Sequence, residues 1–332
     1  MSDATATDVD ARPGAGHRAV VLGGTGFLGR PTCRALAERG YEVIAVARRA
    51  QPVPYAAKVI PLDLAAADAD EIATLLRDHE ASVVVNAAGG MWGLTEAEME
   101  QANVVLTERV VRAVAAAPTR PRLVQVGTVH EYGLVPIGTS MDEEMEPQPV
   151  TPYGRLKLRC TEVVTAATRA GDIDGVVLRV GNVTGAGQPA VSLLGVVASQ
   201  LLAAHRENRR AILNLGPLGS QRDFLNLSDS VRAVALAATV PTLKADVINI
   251  GLGRATSART MVHWLVEVSG VPAEINEAPA TEPETQWQQM RIERARELLG
   301  WAPGADLTDG VRELWAHITE HATTDASSDR HA

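Results

Sequence analysis

Short apolar runs alternate with helix-like segments through the first 180 residues, and this alternation limits the fold more than any other feature of the chain. The runs are apolar on both faces, so the strands that they form must be covered from both sides. The apolar runs lie at 18–23, 42–47, within 58–64, and at 82–88, 122–127 and 175–180. The helix-like segments lie at 31–40, 69–79, 96–117 and 153–170. We therefore predict an α/β fold with a doubly wound parallel sheet.

The alternation loosens after about residue 182, where glycine and proline become frequent. The helices predicted there cover 191–207, 228–238, 257–269 and 307–319. We predict a main domain over 17–181 and a smaller C-terminal α/β lobe over 182–320 that mainly binds substrate. Segments near 211–251 should return to the main domain, with "DVINIG" (246–251) as a strand. Residues 1–16 and 321–332 read as disordered tails.

Composition excludes several classes of protein. A net charge of −9 argues against a nucleic-acid surface or an anionic membrane surface. Cys33 and Cys160 lie far apart and form no metal-ligand spacing, so we predict reduced thiols, no metal site and a cytoplasmic location. No apolar run reaches the roughly 18 residues that a membrane span needs.

The segment "VVLGGTGFLGR" places glycines where the first strand turns into the first helix. Glycine allows a sharp turn and a close approach to a pyrophosphate, and the helix N-terminus supplies N–H groups. We therefore predict a Rossmann-like dinucleotide-binding domain. For Phe27, core packing competes with a cofactor contact. The predicted cofactor contacts are Gly23, Thr25, Gly26, Phe27, Leu28 and Gly29 in this turn, with Leu64, Ala87, Ala88 and Val180 at or after other strands.

The residues after the second strand decide which dinucleotide fits. Arg48 and Arg49 stand where NAD-binding domains carry an acidic residue, and two guanidinium groups suit a 2′-phosphate. This favours NADPH over NAD, and the alternative is a solvated loop in an arginine-rich chain. Asp63, after the third strand, is placed either to contact the adenine or to lie in a surface turn.

Tyr153 and Lys157 are four residues apart on a predicted helix and therefore share one face. Lysine occurs at only three positions in this arginine-rich chain, which indicates that Lys157 has a chemical function that arginine would not serve. A nearby ammonium stabilises a phenolate and lowers the pKa of the phenol. Lysine can also bind a ribose hydroxyl of the cofactor. We therefore predict Tyr153 as the acid–base group and Lys157 as its activator.

A hydroxyl should complete this site from the end of the fifth strand. Thr128 lies there and could hydrogen-bond a substrate carbonyl. His130 is the rival acid–base group, or else a structural loop histidine. Asn103 lies either behind the lysine, where it would support the cofactor site, or on the surface.

Several motifs together resemble the extended short-chain dehydrogenase/reductase family of nucleotide-sugar epimerases, dehydratases and ketoreductases. The resemblance covers about residues 17 to 320 and rests on "GGTGFLG", "VNAAG", "VGTVHEYG", "PYGRLK", "LRVGNVTGAGQ", "RDFLNLSD", "INIGLG" and "LLGWAPGADLTDGV". It implies that Tyr153, Lys157 and Thr128 have the roles just given. It also implies that Asn182 faces the substrate diphosphate and that Arg222 binds a phosphate or ribose. An ion pair of Arg222 with Asp223 or Asp229 is the alternative.

The resemblance also narrows the reaction. Dehydratases of the family carry an Asp-Glu pair directly after the catalytic hydroxyl, where this chain has Val129 and His130, with Glu131 one position too late. We predict an NADPH-dependent reductase of a dTDP-4-keto-6-deoxyhexose in deoxysugar biosynthesis for antibiotic glycosylation, acting as a homodimer. The alternatives are an NDP-sugar epimerase with tightly bound NAD(P), and a reductase of a carbonyl that carries no nucleotide. The complete Thr128, Tyr153 and Lys157 set argues against an inactive NADP-binding regulator.

Overall fold

The structure, a computed structural model, describes residues 14–280 and 286–328. Its centre is a seven-stranded sheet with the order β10-β6-β5-β4-β1-β2-β3, and every pair in it is parallel. The strands of this sheet are β1 (Arg18–Leu22), β2 (Glu42–Ala47), β3 (Lys58–Pro61), β4 (Ala81–Asn86), β5 (Arg122–Thr128), β6 (Asp174–Val180) and β10 (Val247–Ile250). The predicted doubly wound, Rossmann-like sheet is therefore confirmed.

Helices cover both faces of this sheet, as the two apolar faces of the strands require. Val21 packs in a core with the helix at Leu227–Thr239, whereas the neighbouring Val20 packs in a second core on the opposite face, with the helices at Ala69–Asp78 and Leu106–Ala116. The helices are α1 (Gly29–Glu38), α2 (Ala69–Asp78), α3 (Glu96–Glu100), α4 (Leu106–Ala116), α5 (Pro152–Arg169), α6 (Leu193–Arg206), α7 (Leu227–Thr239), α8 (Ala258–Ser269), α9 (Glu293–Leu299) and α10 (Leu307–Ser328).

The helix predicted over 96–117 is interrupted. Thr95 and Glu98 form the capping box that opens α3, and a π-helical turn at Gln101–Val105 then separates α3 from α4. Single π-helical turns inside helices are frequent at functional sites. This one carries Asn103.

The C-terminal part builds two further small sheets. One has the order β11-β9-β7 and the other pairs β12 with β8. Their strands are β7 (Asn182–Thr184), β8 (Ala211–Leu215), β9 (Gln221–Asn226), β11 (Ala255–Ser257) and β12 (Ala273–Glu277). Helices α6, α8 and α10 enclose a third apolar core beside these sheets. Strand β10, by contrast, lies at the edge of the main sheet beside β6.

Helix α10 runs to Ser328, beyond the predicted start of the C-terminal tail at residue 321. The extension is physically reasonable because neither glycine nor proline interrupts the sequence after Gly310. Residues 1–13 and 329–332, which form the rest of the two predicted tails, lie outside the described residues. Within 14–280 and 286–328, no helix has the length and apolar character needed to span a bilayer.

Candidate active site

A cavity of about 630 Å³ opens at the carboxyl ends of the central strands, the edge at which parallel α/β sheets bind ligands. Eleven of the predicted site residues line it together, although they come from seven separate segments of the chain. They are Phe27, Leu28, Ala87, Ala88, Asn103, Thr128, Tyr153, Lys157, Val180, Asn182 and Arg222. Leu64 is not among them, because its side chain is buried in the core beneath α2.

The glycine turn between β1 and α1 has the tight backbone that a dinucleotide requires. Gly23 has a φ of +78°, and a Cβ there would come within 2.9 Å of the Ala88 backbone nitrogen. A Cβ on Gly29, the first residue of α1, would collide with the Gly23 carbonyl oxygen. Gly26 lies on the exposed side of the same turn, next to Thr25. The turn therefore leaves the N-terminus of α1 open to an anion and fits a pyrophosphate.

Arg48 and Arg49 follow directly after β2 and are both exposed. Within the described residues, neither guanidinium forms an ion pair with a carboxylate. Both therefore have the charge and the access that a 2′-phosphate needs. Asp63 is exposed in a turn, where its carboxylate accepts a hydrogen bond from the Ala65 backbone at 3.1 Å, so its contact with an adenine stays a prediction.

The predicted catalytic residues Thr128, Tyr153 and Lys157 all line this cavity. Thr128 is the last residue of β5, and its hydroxyl oxygen accepts a hydrogen bond from the His130 backbone at 3.4 Å. Its hydroxyl hydrogen remains able to donate to a carbonyl. Tyr153 lies in the first turn of α5, and Lys157 follows one turn later, with its ammonium donating to the Val126 carbonyl at 2.6 Å.

The pKa of the Tyr153 phenol lies above its ordinary value, contrary to the predicted lowering. Burial is the largest cause, while Lys157 acts in the predicted direction and lowers the pKa. Glu131 and Cys160 add to the rise. The phenol is therefore protonated at neutral pH, the state in which it can give a proton to an oxygen that is becoming an alkoxide.

His130 lies beside Tyr153, with the ring centroids 6.4 Å apart in an edge-to-face arrangement. Burial, and then the charge of Arg222, lowers the pKa of the imidazole to about 4, whereas a hydrogen bond with Asn182 raises it. His130 is therefore neutral at pH 7 and is not a ready proton donor. It can still donate or accept a hydrogen bond within the cavity.

Asn103 is buried, so the alternative that it lies on the surface is wrong. Its side-chain amide donates to the carbonyl oxygens of Gly90 at 2.9 Å and Met99 at 2.8 Å. These bonds fix the loop after β4 against the π-helical turn. Gly90 in the loop and Asn103 in the turn both line the cavity.

Asn182 and Arg222 lie on β7 and β9, on the side of the cavity formed by the C-terminal part. The Asn182 amide donates to Gln288 at 2.9 Å, and Arg222 donates to Gln286. Asp223 accepts hydrogen bonds from three backbone N–H groups, those of Leu252, Gly253 and Met290. Asp229 pairs with Arg232 and also accepts from the Gly304 and Ala305 N–H groups.

Two parts of the cavity lining were not predicted from the sequence. Met91 and Trp92 follow β4, and Trp92 is 49% exposed at the edge of the cavity. The segment from Gln188 to Leu194, which leads into α6, supplies a second apolar edge with Val191 and Leu193. These residues could have been found from the sequence, because they are large apolar residues in loops that contain glycine or proline. Such loops lie on the surface, so an apolar residue there indicates a binding surface and not the core.

Residues 19–251 match the model of the NAD dependent epimerase/dehydratase family. The chain belongs to this family. The match extends from β1 to the residue after β10 and so covers the whole main sheet. The predicted membership is confirmed, and with it the prediction that the chain is an NAD(P)-dependent enzyme.

Relatives within the family support this assignment. The chain is 51% identical over 301 residues to a dTDP-6-deoxy-L-talose 4-dehydrogenase (NAD(P)(+)) of Kitasatospora kifunensis, covering 90% of this chain and 94% of the relative. It is 29% identical to a UDP-glucose 4-epimerase of Azospirillum brasilense, covering 90% of each chain.

Among solved structures, MoeE5 in complex with UDP-glucose and NAD matches with a TM-score of 0.79 at 26% identity, over 92% of this chain and 99% of that one. A UDP-glucose 4-epimerase with UDP-glucose from Thermotoga maritima matches with a TM-score of 0.80 at 21% identity, over 92% of this chain and 99% of that one. The second likeness concerns the fold alone.

Proposed function

We propose that the protein is an NADPH-dependent reductase of the 4-keto group of a dTDP-4-keto-6-deoxyhexose. The proposal is carried by the presence of Thr128, Tyr153 and Lys157 in the lining of one cavity that also includes Phe27 and Leu28 of the glycine turn. The relative from Kitasatospora kifunensis adds the substrate class, because its name describes a 4-dehydrogenase of a dTDP-6-deoxyhexose. Oxidation of a 4-hydroxyl and reduction of the 4-ketone are the two directions of one reaction.

Each catalytic side chain has a defined task in this reaction. The Thr128 hydroxyl donates a hydrogen bond to the 4-keto oxygen and holds it near Tyr153. NADPH, when bound, supplies the hydride that adds to the carbonyl carbon. The Tyr153 phenol gives its proton to the oxygen, which becomes the 4-hydroxyl, and the Lys157 ammonium stabilises the phenolate that remains.

Arg48 and Arg49 support the choice of NADPH over NADH. Their exposed guanidinium groups suit the extra phosphate of NADPH, and within the described residues no carboxylate pairs with either of them. The relative's name includes both NAD and NADP. We therefore expect a preference for NADPH rather than exclusive use of it.

An epimerase of nucleotide sugars is the second candidate. Several relatives are UDP-glucose 4-epimerases, at 24% to 29% identity over at least 89% of this chain. An epimerase uses the same threonine, tyrosine and lysine chemistry but returns the hydride to the sugar. It therefore changes the sugar without consuming cofactor, which separates it from a reductase in one assay.

The test mixes the purified protein with NADPH and a dTDP-4-keto-6-deoxyhexose. The first substrate is dTDP-4-keto-6-deoxyglucose, and the second is the 4-keto form of dTDP-6-deoxy-L-talose. Absorbance of the reduced nicotinamide is followed and the sugar product is identified. Loss of one NADPH for each 4-hydroxy product is the expected result. A changed sugar without NADPH loss would establish the epimerase. Turnover only with carbonyl compounds that carry no nucleotide would overturn both the reductase and the epimerase of nucleotide sugars.

The reverse reaction gives a second measurement. With dTDP-6-deoxy-L-talose and NADP or NAD, the same enzyme should produce the 4-keto sugar and reduced cofactor. The ratio of kcat/KM for the two cofactors measures the preference that Arg48 and Arg49 predict. The homodimer, the cytoplasmic location and the role in antibiotic glycosylation stay predictions.

A further inference from the structure

Glu131 is a fully buried carboxylate that follows directly after His130, which lines the cavity. It lies in the short 3-10 turn (Val129–Glu131) that follows β5. One carboxylate oxygen accepts the Thr128 backbone N–H at 2.9 Å. The other accepts the Thr161 hydroxyl at 2.8 Å and the Arg179 guanidinium at 2.8 Å. All hydrogen-bonding partners of this acid are therefore inside the protein.

These three bonds connect β5 and α5, which carry the proposed catalytic residues, with the neighbouring strand β6. Thr128 ends β5, and Thr161 lies on α5 on the same face as Tyr153 and Lys157, at successive intervals of four residues. Arg179 lies on β6, next to the last residue of that strand. The Glu131 carboxylate thus fixes the end of β5 against the helix that presents the acid–base pair.

The network continues behind Glu131, away from the cavity. The Arg179 guanidinium lies 4.5 Å from the centre of the Tyr132 ring. The Tyr132 hydroxyl donates to the Asn249 side chain on β10 at 2.8 Å. Gly127 provides the room for Glu131, because a Cβ there would come within 2.8 Å of the carboxylate.

Stability alone does not explain this ion pair. Burying two charges costs much of the energy that their attraction returns, and apolar residues of similar volume often give equal or greater stability. A buried carboxylate that is hydrogen-bonded through both oxygens instead holds its partners in a fixed geometry, which matters near a proton donor.

The charged and titratable groups that act on Tyr153 come from two elements. Lys157 and Cys160 act from α5, while Glu131 acts from the 3-10 turn, where the His130 ring also faces Tyr153. The negative charge of Glu131 disfavours the phenolate and therefore raises the pKa of Tyr153, against the lowering by Lys157. Glu131 and Lys157 thus have opposite effects on the same phenol.

We propose that Glu131 is a positioning residue, whose carboxylate ties the end of β5 at Thr128 to α5 and β6 and so fixes the Thr128 hydroxyl relative to Tyr153 and Lys157. The inference rests on the catalytic roles proposed above. It assigns a use to the acidic residue that stands one position too late for the dehydratase pair. The role depends on contacts to α5 and β6, not on contact with substrate.

The test replaces the Tyr153 phenol with a fluorinated tyrosine, which is more acidic than tyrosine and reports its own ionisation by fluorine NMR. The full chain is titrated in the wild-type background, in Glu131→Gln, and in the double variant Glu131→Gln with Arg179→Met. The double variant removes both charges, so it keeps the measurement available if Glu131→Gln alone does not fold. Glu143→Gln is the matched control, because Glu143 is a buried acid of the same network that acts on Tyr132.

We expect the phenol midpoint to move to lower pH in Glu131→Gln, to move less in the double variant because loss of the Arg179 charge offsets part of the change, and to stay at the wild-type value in Glu143→Gln. We also expect kcat to fall about 10²-fold in the double variant with little change in KM, as for a displacement of about 1 Å. A midpoint unchanged or moved to higher pH in Glu131→Gln, or a wild-type kcat in the double variant, would overturn the inference. The titration needs no substrate, so a wild type inactive on the proposed sugars would count against the proposed function only.

Discussion

Replacing His130 with asparagine should make the protein less sensitive to acid. Burial and the charge of Arg222 lower the pKa of His130 to about 4, whereas an unfolded histidine titrates near 6.5. Below about pH 6.5 the unfolded chain therefore binds a proton that the native state does not, and stability falls as the pH falls toward 4. Asparagine keeps a polar side chain of similar reach without a titrating group.

The size of the effect follows from the two pKa values. The gap between about 6.5 for the unfolded chain and about 4 for His130 corresponds to about 3 kcal/mol at about 1.4 kcal/mol per unit. The imidazole is only partly buried and lines the cavity, so solvent reduces this figure. We expect about 2 kcal/mol.

Urea unfolding at about pH 7.5 and about pH 4.5 measures the effect. Between these pH values, the free energy of unfolding should fall by about 2 kcal/mol more in the wild type than in His130→Asn. Losses from other titrating groups cancel in this difference. Arg222→Met should reduce the fall in the free energy of unfolding between these pH values, because it removes a charge that lowers the pKa of His130. Arg222→Lys is the control, since it keeps the charge. An equal loss in wild type and His130→Asn would refute the neutral imidazole and restore His130 as a candidate acid.

Three further changes test the cofactor site and the acid–base group. Tyr153→Phe should lower kcat by at least about 10²-fold, because no other group gives the proton, while the Kd of NADPH measured by fluorescence stays near the wild-type value. The double change Arg48→Ala with Arg49→Ala should weaken NADPH by about 10- to 100-fold and NADH little, since only NADPH carries the 2′-phosphate; titrations of both cofactors at two salt concentrations measure this. Gly29→Ala should lower the free energy of unfolding by about 1–3 kcal/mol and weaken either cofactor, because the new methyl collides with backbone; urea unfolding and cofactor titration measure both.

Each of these changes has a contrary outcome. Wild-type turnover in Tyr153→Phe would remove the proposed mechanism. Equal losses of NADPH and NADH in the double arginine variant would remove the 2′-phosphate argument. Gly216→Ala is the control for Gly29, because a Cβ at Gly216 has no atom within 4 Å among the described residues, and equal effects at the two glycines would mean that the collision does not matter.

The main sheet could be predicted from the sequence because its strands are short apolar runs bounded by glycine or polar residues. The predicted ranges differ from the observed strands by a few residues at most, as at Arg18–Leu22 and Glu42–Ala47. The candidate site could be predicted in part, because the predicted strands also fix which residues follow their carboxyl ends. Once the strand order is clear, the residues at the carboxyl ends of the strands must share one edge.

Features that depend on contacts distant in sequence could not be predicted. The π-helical turn at Gln101–Val105 has the composition of an ordinary helix, and only its wider i→i+5 hydrogen-bond spacing distinguishes it. The burial of Glu131 could not be predicted from the sequence, because its hydrogen-bond partners Thr161 and Arg179 lie 30 and 48 residues away along the chain. The raised pKa of Tyr153 has a similar origin, since the sequence reveals the nearby lysine but not the extent of burial.

The position of β10 has a consequence for how the protein forms during synthesis. The edge of β6 is covered by a strand that leaves the ribosome roughly 70 residues later. At a synthesis rate of about 5–20 residues per second, the edge of β6 stays unpaired for about 3 to 14 s before β10 is made. During this interval the nascent sheet ends in an open strand of mainly Val and Leu, a template for unwanted pairing. The chain therefore has a window for misassembly that closes only when Val247–Ile250 docks, and a fragment ending near residue 181 should aggregate rather than fold alone.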